Sequence, residues 1–242
     1  MSSIIPQSVR PRVKAWLHNH RGINFVAHKC VYLKNRLLHL NSCIWHPVKE
    51  NAAIFIAFQG RSYCCSPKAI YEYMINDERF KDWHFVWIFR KNKDVSGIPE
   101  LERAEIVTPK SAAYFKWYAS SKYVISNYKF PRYAPRRKGQ IFLQCWHGTP
   151  LKRLGFDISD DADNARDSRK SLHKQYAWMS KASTHFISPS AFASEKFDSA
   201  FKLSEIKPET EIIEKGYPRN VITPLRRQKQ PAKGLACRRA KR

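Results

Sequence analysis

Short apolar segments alternate with helical segments along most of the chain, and this alternation constrains the fold most. The run Ala52–Phe58 is continuously apolar and ends in Gln59-Gly60, as expected for a buried parallel strand. Further candidate strands are Trp83–Phe89, Ile106–Val107, Tyr123–Ser126, Gln140–Trp146, His185–Ser188 and Glu211–Glu214, separated by helical segments such as Ser111–Ser121 and Ser168–Ala182. The pattern predicts an α/β fold with a mainly parallel sheet, whose ligands bind at the carboxyl ends of the strands.

The chain carries a large positive charge. It has 242 residues, with 44 Lys and Arg against 20 Asp and Glu, which gives a formal net charge of +24. Its 43% hydrophobic content is enough for a core, which excludes a wholly disordered chain. The longest apolar run, residues 52–58, is far shorter than the roughly 20 residues of a membrane-spanning helix. The charge predicts a polyanionic partner, which leaves nucleic acid, anionic lipid and phosphate-rich polymers open.

The first 50 residues contain a basic amphipathic segment. Phe25, Val26, Cys30, Leu33 and Leu37 recur at steps of three and four residues between lysines and arginines, which predicts a helix. Such a helix can lie in a membrane interface with its cations facing the headgroups. The alternative is a helix whose apolar face packs on its own domain.

The loop after the fifth candidate strand concentrates groups suited to phosphate chemistry. The strand is followed by His147, whose imidazole is suited to proton transfer near neutral pH. Thr149 followed by Pro150 predicts the start of a helix, and a helix N-terminus binds phosphate through free N–H groups. Lys152 and Arg153 add positive charge, and Gly148 leaves room for a ligand. The alternative is a capped helix with a buried, hydrogen-bonded histidine.

The segment Gln144–Asp157 closely resembles the W-H-G-T-P-L-K signature of the CDP-glycerol glycerophosphotransferases of teichoic acid synthesis. Other segments resemble the same family in the same order, among them Tyr123–Asn127 with Phe130-Pro131, Ser188–Ser190 and Gly216–Asn220. The resemblance covers roughly residues 52–220. It implies the N-terminal half of a GT-B-type fold, which consists of two Rossmann-like domains.

The resemblance also implies an activity. An acceptor hydroxyl attacks the phosphate next to glycerol in CDP-glycerol, and CMP leaves. On this basis His147 is expected to be the general base, and Gly148, Thr149, Lys152, Arg153 and Arg219 are expected to bind substrate phosphate. No metal and no further cofactor are expected. The expected partners are CDP-glycerol, a lipid-linked polyol-phosphate acceptor and an anionic membrane surface, at the cytoplasmic face of the membrane of a Gram-positive-type bacterium.

The sequence departs from the family pattern after Asn220, where Val221 stands in place of an aspartate. Residues 221–242 contain eight basic and no acidic residues, without apolar periodicity, which predicts a disordered basic tail. The domain division is therefore residues 1–50, 51–220 and 221–242. We expect the chain to be the N-terminal half of a glycerophosphotransferase, and to transfer glycerol phosphate negligibly without a donor domain.

Two alternatives to an active transferase follow from the charge. One is a non-catalytic remnant that binds an anionic polymer or a membrane surface. The other is a nucleic-acid-binding module, which the run Lys116-Trp117-Tyr118 supports only weakly because aromatic residues of this kind belong more often to a core.

Overall fold

The computed structural model describes residues 21–159 and 169–221. The helices are α1 (Arg21–Trp45), α2 (Cys65–Ile75), α3 (Ala112–Ser120), α4 (Arg169–Ala182), α5 (Ala191–Phe201) and α6 (Leu203–Ile206). The strands are β1 (Lys49–Ile56), β2 (His84–Ile88), β3 (Ala104–Val107), β4 (Ser121–Ser126), β5 (Ile141–Gln144), β6 (His185–Ser188) and β7 (Glu211–Glu214). All seven predicted strands are confirmed. The basic tail from residue 222 onwards and the first 20 residues of the amphipathic segment lie outside the described residues.

The seven strands form one parallel sheet in the order β3-β2-β1-β4-β5-β6-β7. The chain moves outwards from β1 to β3, then returns to the middle and places β4 on the other side of β1. The segments after β1 and β4 therefore leave towards opposite faces of the sheet, an arrangement in which α/β folds form a ligand crevice at the carboxyl edge. The parallel α/β prediction is confirmed, and this topological switch point is where the fold favours a ligand site.

Both faces of the sheet are buried, which explains why its central strands are continuously apolar. In β1, Ile54 faces a core formed with Tyr118 of α3, whereas its neighbour Phe55 faces a second core with Tyr71 of α2. A third cluster joins Phe186 of β6 to α4 and α5. The helices thus cover the sheet from both sides and leave its carboxyl edge to the loops.

Helix α1 packs against α3 through its polar side. Asn35 and His39 are buried, and the His39 Nε2 atom lies 3.3 Å from the Pro135 carbonyl oxygen, to which it donates. The apolar stripe lies on the opposite side of the helix, because successive residues are about 100° apart, and it is exposed. Its members are Ile23, Val26, Cys30, Leu33, Leu37, Leu40 and Ile44. The alternative in which the apolar face packs on its own domain is therefore wrong.

None of the described helices is long and apolar enough to cross a lipid bilayer.

Acid should loosen the contact between α1 and the rest of the chain. Burial, with Arg36 and Arg137 nearby, lowers the pKa of His39 from 6.5 to about 4, although the hydrogen bond to Pro135 opposes this. Between these values the unfolded chain binds a proton that the folded chain does not. Stability is therefore complete above pH 6.5 and falls as the pH drops towards 4, by about 3 kcal/mol.

This expectation is checked by urea unfolding at pH 7 and pH 4.5. The His39→Gln variant should lose most of the pH dependence, because it removes the group that titrates. The control is His28→Gln on the exposed part of α1, which should behave like the unsubstituted chain. An equal pH dependence in all three proteins would contradict the assignment to His39.

Candidate active site

Asn127 connects the ends of three neighbouring strands at the switch point. It follows β4 directly and is fully buried. Its side-chain oxygen accepts a hydrogen bond from the Phe58 N–H at 2.9 Å, which fixes the loop after β1. Its backbone carbonyl oxygen lies 3.1 Å from Nδ1 of His147, beyond the end of β5. Asn127, at the start of the loop after β4, therefore positions both the loop after β1 and the His147 ring after β5.

The His147 ring lies at the open edge of the sheet. The residue is exposed, and its ring centre is 4.3 Å from that of Trp146 and 5.8 Å from that of Phe58. Because Nδ1 faces a carbonyl oxygen, it carries the hydrogen and donates it. In the neutral ring Nε2 is then the basic nitrogen. The arrangement gives an accessible base with a fixed tautomer, and the alternative of a buried histidine is wrong.

Arg219 comes from the segment after β7 and reaches the same place. One of its Nη atoms donates to the His147 carbonyl oxygen at 3.0 Å and to Cys65 Sγ at 3.2 Å. Its guanidinium stacks on Tyr217, with 4.3 Å between the guanidinium carbon and the ring centre. The structure thus brings Arg219 to His147, although the two are 72 positions apart.

The predicted helix start at Thr149 is wrong. The segment from Cys145 to Leu154 has no helical turn, and only Gly155–Asp157 forms a short 3-10 turn. The reason is packing: Leu154 and Phe156 contact the apolar cluster around α4 and α5, which holds the segment across these helices. A phosphate site at a helix N-terminus is therefore not formed by this loop.

Lys152 and Arg153 lie apart from His147. Both are exposed and line a groove of about 350 Å³ between the loop and α5, together with Asp157 and Lys196. His147 is not among the described residues of that groove. Thr149 is exposed as well, and a Cβ added at Gly148 would have open space around it. The loop thus points its cations along α5 while His147 faces the crevice.

The helix that begins near this edge of the sheet is α2. It begins at Cys65, with Cys64 as the N-cap residue and no side-chain cap. Ser66, the second residue of this helix, is buried, and its hydroxyl has no hydrogen-bond partner among the described residues. Cys65 has a φ of 65°, a conformation that sequence patterns do not reveal for a cysteine.

Further residues with positive φ lie at the same edge of the sheet. Phe58 and Gln59 follow β1 with φ values of 45° and 59°, and Trp146 precedes His147 with 45°. Each costs about 1–3 kcal/mol unless the surroundings stabilise it, and such residues cluster at functional sites. Sequence reasoning missed Asn127, Phe58 and Gln59 as members of the site. Two signals pointed to Asn127: its position immediately after a strand, and its place in the segment Tyr123–Asn127 that resembles the family.

Residues 21–159 and 169–221 contain no group of three or more His, Cys, Asp or Glu side chains that could hold a metal ion.

Comparison with known proteins identifies the family. The sequence pattern of the family described as CDP-Glycerol:Poly(glycerophosphate) glycerophosphotransferase matches residues 38–235. The chain belongs to this family. It is 34% identical over 179 residues to a teichoic acid poly(glycerol phosphate) polymerase of Staphylococcus epidermidis, and 31% identical over 179 residues to one of Bacillus spizizenii. The matched regions cover 72% of this chain but 23% and 42% of these relatives, so the chain spans less than half of their length.

Solved structures of the same family share the fold. The chain superimposes on the wall teichoic acid polymerase TagF with a TM-score of 0.68 and 29% identity, over 90% of this chain and 50% of that one. A TagF variant soaked with CDPG gives a TM-score of 0.66 over 87% of this chain. The α/β, Rossmann-like, GT-B-like assignment is thereby confirmed.

Gly155 allows the loop after β5 to pack closely against α4 and α5. It has a φ of +52°, and an added Cβ would lie 2.2 Å from the Ala200 carbonyl oxygen and 2.3 Å from the Tyr176 ring. Gly155→Ala should therefore lower the free energy of unfolding by about 3 kcal/mol, through backbone strain and overpacking. Urea denaturation measures this. Gly148→Ala, with open space at its Cβ, is the control and should fold as before; equal stabilities of the two variants would contradict this account.

Proposed function

We propose that this chain provides the acceptor-side half of a CDP-glycerol glycerophosphotransferase, which transfers glycerol phosphate from CDP-glycerol to a lipid-linked polyol-phosphate acceptor and releases CMP. The single observation that carries the proposal is the accessible His147 ring, oriented by Asn127 at the switch point of the sheet. The family assignment and the relatives' names support the reaction class.

His147 acts as the general base in this proposal. Its Nδ1 atom donates to the Asn127 carbonyl, so Nε2 accepts the proton of the attacking acceptor hydroxyl. The oxygen then attacks the phosphorus next to glycerol, and the bond from that phosphorus to the CMP oxygen breaks. The carbonyl of Asn127 further stabilises the imidazolium that forms, because it accepts from the ring as the positive charge develops.

Arg219 binds substrate phosphate beside His147 in this proposal, because its guanidinium is hydrogen-bonded at the same edge of the sheet. Gly148 and Thr149 border the same position. Lys152 and Arg153 bind phosphate farther along the α5 groove, where both side chains are exposed. The donor side of the site is left to the part of the relatives that this chain does not span.

The role of His147 is tested in a chimera in which residues 38–221 replace the matching segment of TagF. CMP release from CDP-glycerol is measured with a glycerol-phosphate-primed lipid acceptor. His147→Ala should lower turnover by about 10²- to 10⁴-fold, the usual contribution of a general base. The control His84→Ala removes an exposed histidine at the opposite edge of the sheet and should leave turnover unchanged.

A His147→Ala chimera that keeps its turnover would refute this role. A folded but inactive parent chimera, judged by circular dichroism, would refute the transferase proposal for this chain and favour a non-catalytic anion-binding protein.

We also propose that α1 binds the chain peripherally to the cytoplasmic face of a bacterial membrane, where a lipid-linked acceptor is found. The stripe from Ile23 to Ile44 is exposed on the side away from the body. Lys29 and Arg36 flank it on one side and Lys34 on the other, given about 100° per residue. Apolar side chains between cations match the boundary between acyl chains and anionic headgroups.

Vesicle co-sedimentation tests this membrane contact. Leu33→Ser with Leu37→Ser should weaken binding to phosphatidylglycerol vesicles by tenfold or more, because two exposed apolar side chains no longer insert. Lys29→Gln with Lys34→Gln should lose about fivefold for each lysine and most of the preference over neutral vesicles. Lys91→Gln with Lys93→Gln, the control with the same charge change on a distant exposed loop, should bind like the parent. Binding that is unchanged in the Leu33/Leu37 variant would contradict the proposal.

A further inference from the structure

A second cavity opens at the carboxyl edge of the sheet, on the side of α3 and α4. It has a volume of about 720 Å³, within the roughly 300–1,000 Å³ of ligand pockets. Ile56 and Ile88, the last residues of β1 and β2, line its floor, and Phe130 lies beyond β4. Trp178 of α4 forms part of its wall. His147 is not among its described lining residues, whereas Gln59 in the loop after β1 is, so the cavity adjoins the site at the switch point.

The described lining of this cavity is strongly positive. It contains Arg90, Lys110, Lys129 and Arg132, and no Asp or Glu. Arg90 donates to the backbone and side-chain oxygens of Gln59, both at 3.3 Å. These acceptors are neutral, so they orient the guanidinium without compensating its charge.

Two of the other cations are held in the same way. Arg132 donates to the Lys174 carbonyl oxygen at 2.7 Å, and the Lys129 ammonium donates to the Gln175 side chain. None of the four cations belongs to an ion pair observed within residues 21–159 and 169–221. The positive charge is therefore available to an anionic ligand.

Lys110 adds a conformational argument. It lies in the left-handed region with a φ of 69° and is exposed. A residue with a Cβ adopts this conformation at a cost of about 1–2 kcal/mol that glycine avoids. The turn between β3 and α3 thus directs a lysine side chain to the mouth of the cavity at a position where glycine would be less strained.

The cavity also contains groups that suit a polyol. The hydroxyls of Tyr114 and Tyr133 are 3.2 Å apart and form a hydrogen bond within the lining. A polyol hydroxyl can donate to or accept from such a pair. Phe130 and Trp178 add apolar surface to the lining, which suits the carbon chain of a polyol. Cations for phosphate and hydroxyls beside apolar faces are the groups that a polyol phosphate requires.

A short path connects the cavity with His147. Lys129 is two residues beyond Asn127, whose carbonyl holds the His147 ring. The Lys129 ammonium lies 5.5 Å from the centre of the Tyr128 ring, and that ring centre is 6.3 Å from the centre of the His147 ring. A chain bound at Lys129 could therefore extend past Tyr128 to the reacting edge.

We propose that this cavity is a subsite for the phosphodiester chain of the acceptor, in which Arg90, Lys110, Lys129 and Arg132 bind phosphate groups behind the reacting end. The inference rests on the proposed function, because it is the acceptor polymer that supplies such a chain next to His147. Binding of the polymer behind its reacting hydroxyl would hold that hydroxyl near Nε2 of His147 while successive donor molecules bind and leave.

The test is direct binding of a fluorescent glycerol-phosphate oligomer to the 242-residue chain, measured by anisotropy. Arg90→Gln with Lys110→Gln removes two cavity cations. Lys91→Gln with Lys93→Gln is the matched control, because it removes the same charge from neighbouring exposed positions outside the cavity. The cavity pair should weaken binding by tenfold or more, since hydrogen bonds to charged groups are strong, and should make binding less sensitive to salt. The control pair should change binding by less than twofold.

Three results would overturn the inference. Equal losses in the two variant pairs would mean that the overall positive field attracts the oligomer. If CDP-glycerol competes with the oligomer, and only the cavity pair abolishes this competition, the cavity binds the donor. If the cavity pair, but not the control pair, weakens binding to phosphatidylglycerol vesicles, the cavity binds lipid headgroups.

The outcome is separable from that of the proposed function. His147→Ala should weaken oligomer binding far less than the cavity pair does, because its ring contacts only the reacting hydroxyl and lies outside the cavity. Selective weakening by the cavity pair, together with an inactive chimera, would refute the transferase proposal and retain the polyol-phosphate subsite. An active chimera with no selective weakening would refute the subsite alone.

Discussion

The arrangement of the carboxyl edge of the sheet depends on two hydrogen bonds that Asn127 accepts. One fixes the loop after β1 and the other orients the His147 imidazole beyond β5, so the same buried residue positions both groups at the switch point. The geometry is possible because β4 lies between β1 and β5 in the sheet. Any rearrangement of strand order would separate the three groups.

The sequence predicted the sheet well, because a strand buried on both faces must be continuously apolar, and that pattern is visible without any tertiary information. It also predicted the amphipathic α1 helix, but it left open whether the apolar face meets a membrane interface or packs on the domain. The decisive residues, Asn35 and His39, are polar and become buried only through their contact with α3 and the Pro135 carbonyl. Local patterns do not contain such a contact.

The site was predicted less completely than the fold. His147 and Arg219 were identified through the family resemblance and lie together, but the helix expected at Thr149 is absent because two apolar side chains two positions apart pack the loop across α4 and α5. Phe58, Gln59 and Cys65 adopt positive φ values that tertiary contacts impose. The four basic residues of the second cavity come from three loops that are distant in sequence. Their convergence depends on the parallel topology, in which all carboxyl ends meet at one edge.

The arrangement of α1 has a practical consequence for work with the purified chain. In aqueous buffer without lipid, its outward stripe can be shielded only by another apolar surface, and residues at alternating steps of three and four resemble the seam of a two-stranded coiled coil. Self-association should therefore depend on protein concentration and on added detergent. A dimer observed by chromatography under these conditions would reflect contact between two α1 stripes in place of contact with lipid. It would not establish the quaternary state in the cell.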